Sequence, residues 1–279
     1  MQKKIVAIHD ISCFGRCSLT VALPLLSATG IQTSVIPTAV LSTHTGGFKN
    51  QTFHDLTQDI EPIAEHWKSE NIDFDAIYTG YLCGPTQVCA VISALEHIKT
   101  DSNLLITDPV MGDNGELYSG FSLSYVSYML RLCQKADIIT PNITEACLLT
   151  GIAFKDKDYG QDYIEKLLNK LYSLTNAKII LTGVSFDERK IGVAIFEEGE
   201  ISYVFAEKQP VSFHSTGDIF ASVLGASILH GRSIKASAQI AVNFVSLCIK
   251  QTTLQKSDKR YGVNFEENIP HLLKYLENL

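Results

Sequence analysis

Charge is scarce in this chain of 279 residues, with Asp, Glu, Lys and Arg at 19% against 46% hydrophobic residues. So little charge and so much core material exclude a mainly disordered protein. The net charge is -7, and the densest basic patch is Ser257-Asp258-Lys259-Arg260. Nucleic acid and acidic membranes are therefore not expected partners. No apolar run reaches the roughly 18 residues of a membrane span; the best window, 219–229, is shorter. Ile5-Val6-Ala7-Ile8 falls short of the apolar stretch of roughly 7 to 15 residues in a secretory signal, so none is expected. The 7 cysteines contain no Cys-x-x-Cys pair and leave one over if paired, which fits reduced thiols in a cytoplasmic protein. The 8 histidines show no spacing that would hold zinc. Gly-x-x-x-x-Gly-Lys-Ser/Thr is missing, as is Gly-x-Gly-x-x-Gly after the first strand pattern. These absences exclude a P-loop enzyme and count against a dinucleotide oxidoreductase. The Gly-x-Ser-x-Gly elbow of a hydrolase is missing too.

What is present is alternation. Short apolar runs at 4–9, 33–38, 76–79, 104–107, 138–141 and 178–182 read as strands. Between them, 18–28, 60–71, 85–99, 122–134, 144–150 and 162–174 carry helical period, several with Gly beyond the end or Pro at the start. Residues 192–197 and 201–206 flank Glu198-Gly199 as an antiparallel hairpin. Helices are expected at 217–229, 233–250 and 265–276. This order predicts an α/β fold in three layers, a mostly parallel central sheet with helices on both faces and a small antiparallel hairpin. No linker or repeat divides the chain, so residues 1–279 are expected to form one domain.

In open α/β sheets ligands bind beyond the carboxyl ends of the strands. Those ends carry His9-Asp10-Ile11-Ser12, Thr79-Gly80-Tyr81, Thr107-Asp108-Pro109-Val110-Met111-Gly112-Asp113, Thr140-Pro141-Asn142 and Leu181-Thr182-Gly183. Each alone is ordinary turn chemistry; together they point to a site. His214-Ser215-Thr216-Gly217-Asp218 precedes a long helix. Unpaired N–H groups there would attract an anion; Ser215 or Thr216 could also be an N-cap with Asp218 in the first turn, and the two readings can hold together. Asn142-Ile143-Thr144-Glu145 can present an amide and a carboxylate to one cleft, or form a capping box. Glu145 with Asp108 or Asp113 could hold Mg²⁺ through water.

Asp108 to Asp113, Thr140 to Glu145 and Ser215 to Asp218, in this order and at these separations, resemble the ribokinase superfamily. Leu41-Ser42-Thr43-His44-Thr45-Gly46-Gly47 and Tyr78-Thr79-Gly80-Tyr81-Leu82 narrow the resemblance to its pyridoxal/pyridoxamine kinase branch. The resemblance covers essentially the whole chain and implies a ribokinase-like fold. It implies transfer of a phosphoryl group from ATP to the 5'-hydroxymethyl group of a vitamin B6 vitamer (pyridoxal, pyridoxamine or pyridoxine). Mg²⁺, a monovalent cation such as K⁺, a homodimer and a cytoplasmic setting belong to the same implication. Carried over position by position, Asp218 is the base, and the N–H groups of Ser215, Thr216, Gly217 and Asp218 form the anion hole. Asp108, Asp113, Thr140, Asn142, Glu145 and Thr182 serve ATP with that hole, and Asp113 and Glu145 serve Mg²⁺ through water. His44, Thr45, Tyr81 and either Asp10 or Ser12 hold the pyridine ring. Asp10 stands where the family usually has Ser, and Ser215 where it usually has Gly, so the Ser215 side chain must point away from the phosphate. The alternatives are a hydroxymethylpyrimidine kinase of thiamine synthesis and a vitamer-binding protein without catalysis.

Overall fold

The computed structural model describes residues 2–277. The chain opens on β1 (Lys4–Ser12) and α1 (Leu19–Ala28), then β2 (Gln32–Leu41) and the short β3 (Phe53–Asp55). Strands and helices then alternate through α2 (Thr57–Ser69), β4 (Ala76–Thr79), α3 (Pro85–Ile98) and β5 (Leu104–Thr107). A two-residue hairpin, β6 (Gly112–Asp113) and β7 (Glu116–Leu117), leads to α4 (Leu123–Cys133), β8 (Ile138–Ile139), α5 (Ile143–Thr150) and α6 (Gln161–Thr175). Next come β9 (Lys178–Asp187), β10 (Lys190–Glu197) and β11 (Glu200–Glu207). The chain ends with α7 (Thr216–Leu229), α8 (Ile234–Leu254), two 3₁₀ turns (Lys259–Tyr261 and Glu266–Asn268) and α9 (Ile269–Glu277).

The 9-stranded sheet has the order β11-β10-β9-β8-β5-β4-β1-β2-β3. Neighbours from β2 to β9 run parallel, and β3, β10 and β11 add antiparallel edges. Both faces are covered, so each central strand supplies apolar residues to two cores in turn. Val6, Ile8, Ile77, Leu105, Ile139 and Ile179 face α2 to α6. Ile5, Tyr78, Ile106, Ile138 and Ile180 face α1, α7 and α8. That double burial is why the strands read as continuous apolar runs rather than alternating ones.

Register aligns the strand ends: Ile8 pairs with Thr79, Thr79 with Thr107, Thr107 with Ile139, and Ile139 with Ile179. From β1 the chain goes to β2 on one side and returns to β4 on the other. The β1/β4 boundary is therefore the topological switch point, where such sheets open a ligand crevice.

Some elements differ from the sequence expectation. β9 continues past Thr182 to Asp187 and pairs with β10; Gly183, at φ 78, interrupts the pattern with a conformation that costs glycine little. β2 runs on to Leu41 through a bulge, with Pro37 opposite His9 and Val40 opposite Ile11. β3, β6 and β7 are two or three residues long, too short to show a period. The helix expected from residue 265 starts at Ile269, behind a 3₁₀ turn.

Candidate active site

Beyond the aligned positions lie His9 and Asp10, within β1 but past its pairing with β4, Gly80 and Tyr81 after β4, Asp108 after β5 and Thr140 after β8. The start of α7 faces them. Ser215 sits at the N-cap position but makes no capping bond, and its φ of 69 is left-handed. Its hydroxyl turns away and donates to the Arg16 carbonyl. No side chain caps the helix start, and Gly217 is exposed there. This end of α7 offers N–H groups and dipole to an anion. A Cβ on Gly217 would lie 3.5 Å from Asp108 Oδ2, so β5's carboxylate adjoins the same opening.

Asp218, in the first turn of α7, is 8% exposed. Its Oδ2 accepts the Ser18 N–H at 2.8 Å. Ser18 holds φ 51 and ψ -122, a strained combination for a residue with a side chain, and this aims the N–H at the carboxylate. Burial and then the nearby Asp10 charge raise the Asp218 pKa to about 6, against the pull of the Ser18 N–H and the Cys17 thiol.

Asp10 is 3% exposed. Its Oδ2 accepts from Ser12 Oγ at 3.3 Å, while Oδ1 is buried without a hydrogen-bond partner. Burial raises its pKa to about 6. Asp108 is pushed up to about 8, by burial and then by Asp218. Glu145 is raised well above the usual carboxylate range by burial and then by Asp108. Asp10, Asp218, Asp108 and Glu145 thus form a row of buried carboxylates, each raised by burial and each electrostatically coupled to its neighbour in the row.

Glu145 realises the capping reading. It forms a full capping box with Asn142 at the start of α5. Oε2 accepts the Asn142 N–H at 2.8 Å and Oε1 the Met111 N–H at 3.1 Å. Asn142 Nδ2 reaches the Gly112 carbonyl at 2.8 Å, tying α5 to the β6–β7 hairpin. Asp113, on that hairpin, is exposed and braces Asn114 through both oxygens. Asp113, Asn142, Thr144 and Thr182 line one open cleft of about 140 Å³ with Lys155 and Tyr159. Thr182 is held there by its N–H bond to the Pro141 carbonyl at 2.8 Å. The buried Thr140 hydroxyl lacks a hydrogen-bond partner.

The ring residues proposed on resemblance divide. Tyr81 is half-buried against Phe121, with ring centroids 5.8 Å apart, and its phenol lies within the field of Asp10. Thr45 is exposed. His44 is buried with both ring nitrogens engaged by main chain: Nδ1 with the Gly46 N–H at 3.1 Å, Nε2 with the Arg260 carbonyl at 2.5 Å. Arg16, Ser18 and Arg260 carry no sequence signal because their contacts span distant segments, and Lys155 lines the cleft without one. His9, already among the strand-end residues read from the sequence, is fully buried, lacks a partner on either nitrogen, and packs 4.4 Å edge-on against Tyr78.

The chain matches the phosphomethylpyrimidine kinase family over residues 23–264. It belongs to that family. Among solved structures it is similar to pyridoxal kinase from Lactobacillus plantarum, with 32% identity, TM-score 0.90, and 99% of this chain and 98% of that one covered. It is also similar to a Bacteroides thetaiotaomicron protein named as a candidate phosphomethylpyrimidine kinase, in a crystal form with pyridoxal. There the identity is 36%, the TM-score 0.91, and the coverage 98% and 96%. A curated relative, the pyridoxal kinase of Dictyostelium discoideum, is 26% identical over all of this chain and 97% of its own. The chain is a kinase of the ribokinase superfamily, with the α/β architecture expected from its sequence.

Proposed function

We propose that this family member phosphorylates the 5'-hydroxymethyl group of a vitamin B6 vitamer with ATP as donor, as one ribokinase-like unit. The observation that carries the reading is the row of buried carboxylates facing the uncapped start of α7. Ser18 occupies one oxygen of Asp218 and leaves the other to take the proton of the vitamer alcohol. The freed alcohol oxygen attacks the γ-phosphorus, and the bond from that phosphorus to the bridging oxygen breaks as ADP leaves. The N–H groups of Ser215 to Asp218 bind the phosphoryl oxygens while charge moves between them. Asp113, Asn142, Thr182 and Thr140 bind the nucleotide side of the crevice. Thr45 and Tyr81 bind the ring side, with Asp10 rather than Ser12 as ring ligand, because Ser12 spends its hydroxyl on Asp10 while Asp10 Oδ1 has no partner.

The residues fit a magnesium ion. The Asp108 carboxyl, pushed up to about 8 by burial and by Asp218, lies against the α7 opening, where a bound cation would favour its ionised form beside a phosphate. Glu145, already accepting two main-chain bonds, suits outer contacts through water, as does the exposed Asp113. Bound there, magnesium supplies the positive charge that lets a polyanion approach a protein of net charge -7. Resemblance adds a monovalent cation such as K⁺, a homodimer and a cytoplasmic setting; among the described residues, no helix is long and apolar enough to cross a membrane. The relatives named pyridoxal kinase favour a vitamin B6 substrate over hydroxymethylpyrimidine. The test is incubation with ATP, Mg²⁺ and pyridoxal. Pyridoxal 5'-phosphate and ADP forming in equal amounts supports the reading; pyridoxal binding without ADP release makes the protein a binder.

A further inference from the structure

Both nitrogens of His44 are committed, and the pattern of commitment fixes its state. The Gly46 N–H can only donate, so Nδ1 at 3.1 Å accepts and carries no proton. Nε2 therefore holds the proton of the neutral ring and donates it to the Arg260 carbonyl at 2.5 Å. Neither nitrogen remains for a ligand. The imidazole instead joins two segments 216 residues apart: the loop after β2, and the 3₁₀ turn Lys259–Tyr261 that follows α8.

The turn is itself wedged against the site. Tyr261's carbonyl accepts the Arg16 N–H at 3.0 Å, and Arg16 Nε pairs with Glu266 at 2.6 Å. Arg16's own carbonyl accepts from Ser215 at the start of α7. Close packing leaves no slack between these parts. A Cβ on Gly15 would meet the His44 ring at 3.1 Å, and one on Gly47 would meet the Arg260 side chain at 3.0 Å. A Cβ on Gly262 would meet the Arg16 carbonyl at 2.4 Å, and Gly262 sits at φ 77. Phe48 closes the junction, 5.1 Å from His44 and 5.4 Å beneath the Arg260 guanidinium.

We infer that His44 is a positioning residue: it pins the Gly46-Gly47 loop to the Arg260 carbonyl, so that the turn after α8 sets the shape of the vitamer pocket without touching the vitamer. The inference rests on the vitamer reading only for its kinetic consequences; the hydrogen-bond geometry stands apart from it. This removes His44 from the ring contacts that resemblance suggests and gives the C-terminal turn a part in substrate binding.

The test begins in the ligand-free full-length protein, with nitrogen-15 NMR of the histidine side chains and His44→Gln to assign the His44 signals. The expected result is a neutral His44 protonated on Nε2, with signals that shift in Gly262→Ala, where the added methyl displaces the turn. A proton on Nδ1, or signals unmoved by Gly262→Ala, overturns the inference whether or not the protein phosphorylates any vitamer. The kinetic half uses pyridoxal and ATP. Losing a net hydrogen bond or two from the loop predicts that His44→Ala raises KM for pyridoxal about tenfold. The same variant is expected to change kcat and KM for ATP less than about threefold. His44→Gln, which can still donate and accept, recovers most of the loss. Gly262→Ala gives the same split, and the double variant His44→Ala/Gly262→Ala is no worse than the poorer single one. With a vitamer analogue lacking the 3-hydroxyl, and again with one lacking the ring nitrogen, the His44→Ala penalty is unchanged. A penalty that vanishes with either analogue makes His44 a direct ligand and defeats the inference, as does strict additivity of the two substitutions.

Discussion

Replacing Asp218 by Asn tests chemistry and electrostatics together, and the two are expected to move in opposite directions. Asn keeps the shape and an acceptor for the Ser18 N–H, so the local fold is retained, but it cannot take a proton from an alcohol. Loss of general-base help predicts that turnover falls by roughly 10² or more while ATP affinity stays within a few-fold. Stability is expected to rise at neutral pH. The folded protein holds this carboxyl at about 6 against an ordinary value of 3.8; at about 1.36 kcal/mol per pKa unit, ionising it costs the fold about 3 kcal/mol. The sign follows from linkage. Below pH 3.8 the group is protonated in both folded and unfolded states, and the substitution gains nothing. Between 3.8 and about 6 only the unfolded chain ionises it, so the native state loses stability as pH rises, and above about 6 the full cost is present. The Asn variant escapes that cost, and it also removes the charge that helps raise Asp108. For a chain of this size the gain corresponds to a melting temperature higher by roughly 5 °C or more at pH 7.5. Thermal unfolding at pH 7.5 and pH 4.5 is the assay, with the gap closing at the lower pH. The wild-type kcat/KM should fall with acid around pH 6, as the base protonates in the free enzyme. Near wild-type turnover would remove Asp218 from its role. A variant equally or less stable than wild type at pH 7.5, or a gap independent of pH, would refute the electrostatic reasoning.

Three further outcomes are expected. Glu145→Gln should raise the Mg²⁺ concentration for half-maximal rate several-fold, because a neutral amide holds the ion's waters less well; an unchanged magnesium titration would leave Glu145 only its capping-box role. Chelation of divalent ions should abolish turnover without changing the far-ultraviolet circular dichroism, since magnesium held largely through water leaves the fold untouched and, among the described residues, no group of three or more His, Cys, Asp or Glu is placed to hold a metal ion directly. Loss of secondary structure on chelation would contradict this. Gly80→Ala should destabilise by about 1–3 kcal/mol in denaturant unfolding, because its Cβ would fall 2.2 Å from His9 Cε1; a neutral substitution would mean that His9 is free to move.

The sequence made the sheet and the strand ends legible for one reason. Parallel strands buried on both faces must end where polar residues begin, and Asp108 and Thr140 stand at such ends. The Glu198-Gly199 hairpin was legible because a two-residue turn at φ 53 and 85 calls for glycine. The short β3, β6 and β7 left no pattern, whereas the two-residue β8 was legible from the Ile138-Ile139-Thr140-Pro141 run, and the extension of β9 was hidden behind Gly183. In the site, residue types were legible and pairings were not. Ser18 reaches Asp218 across 200 residues, and nothing in the Phe14-Gly15-Arg16-Cys17-Ser18 run announces it. Whether Ser215 caps α7 could be read only from the direction of its hydroxyl, which goes to the Arg16 carbonyl. At Asn142 and Glu145 the capping box and an outer-sphere metal role share the same side chains, so composition could not choose between them.

The central claim is that this carboxylate row and helix start act on a vitamin B6 alcohol. Its most direct test is kcat/KM with ATP and Mg²⁺ for pyridoxal, pyridoxamine, pyridoxine and hydroxymethylpyrimidine, measured side by side. ADP release is expected with at least one vitamin B6 vitamer, at a kcat/KM above that for hydroxymethylpyrimidine. Turnover of hydroxymethylpyrimidine alone, or of none of the four, would contradict it.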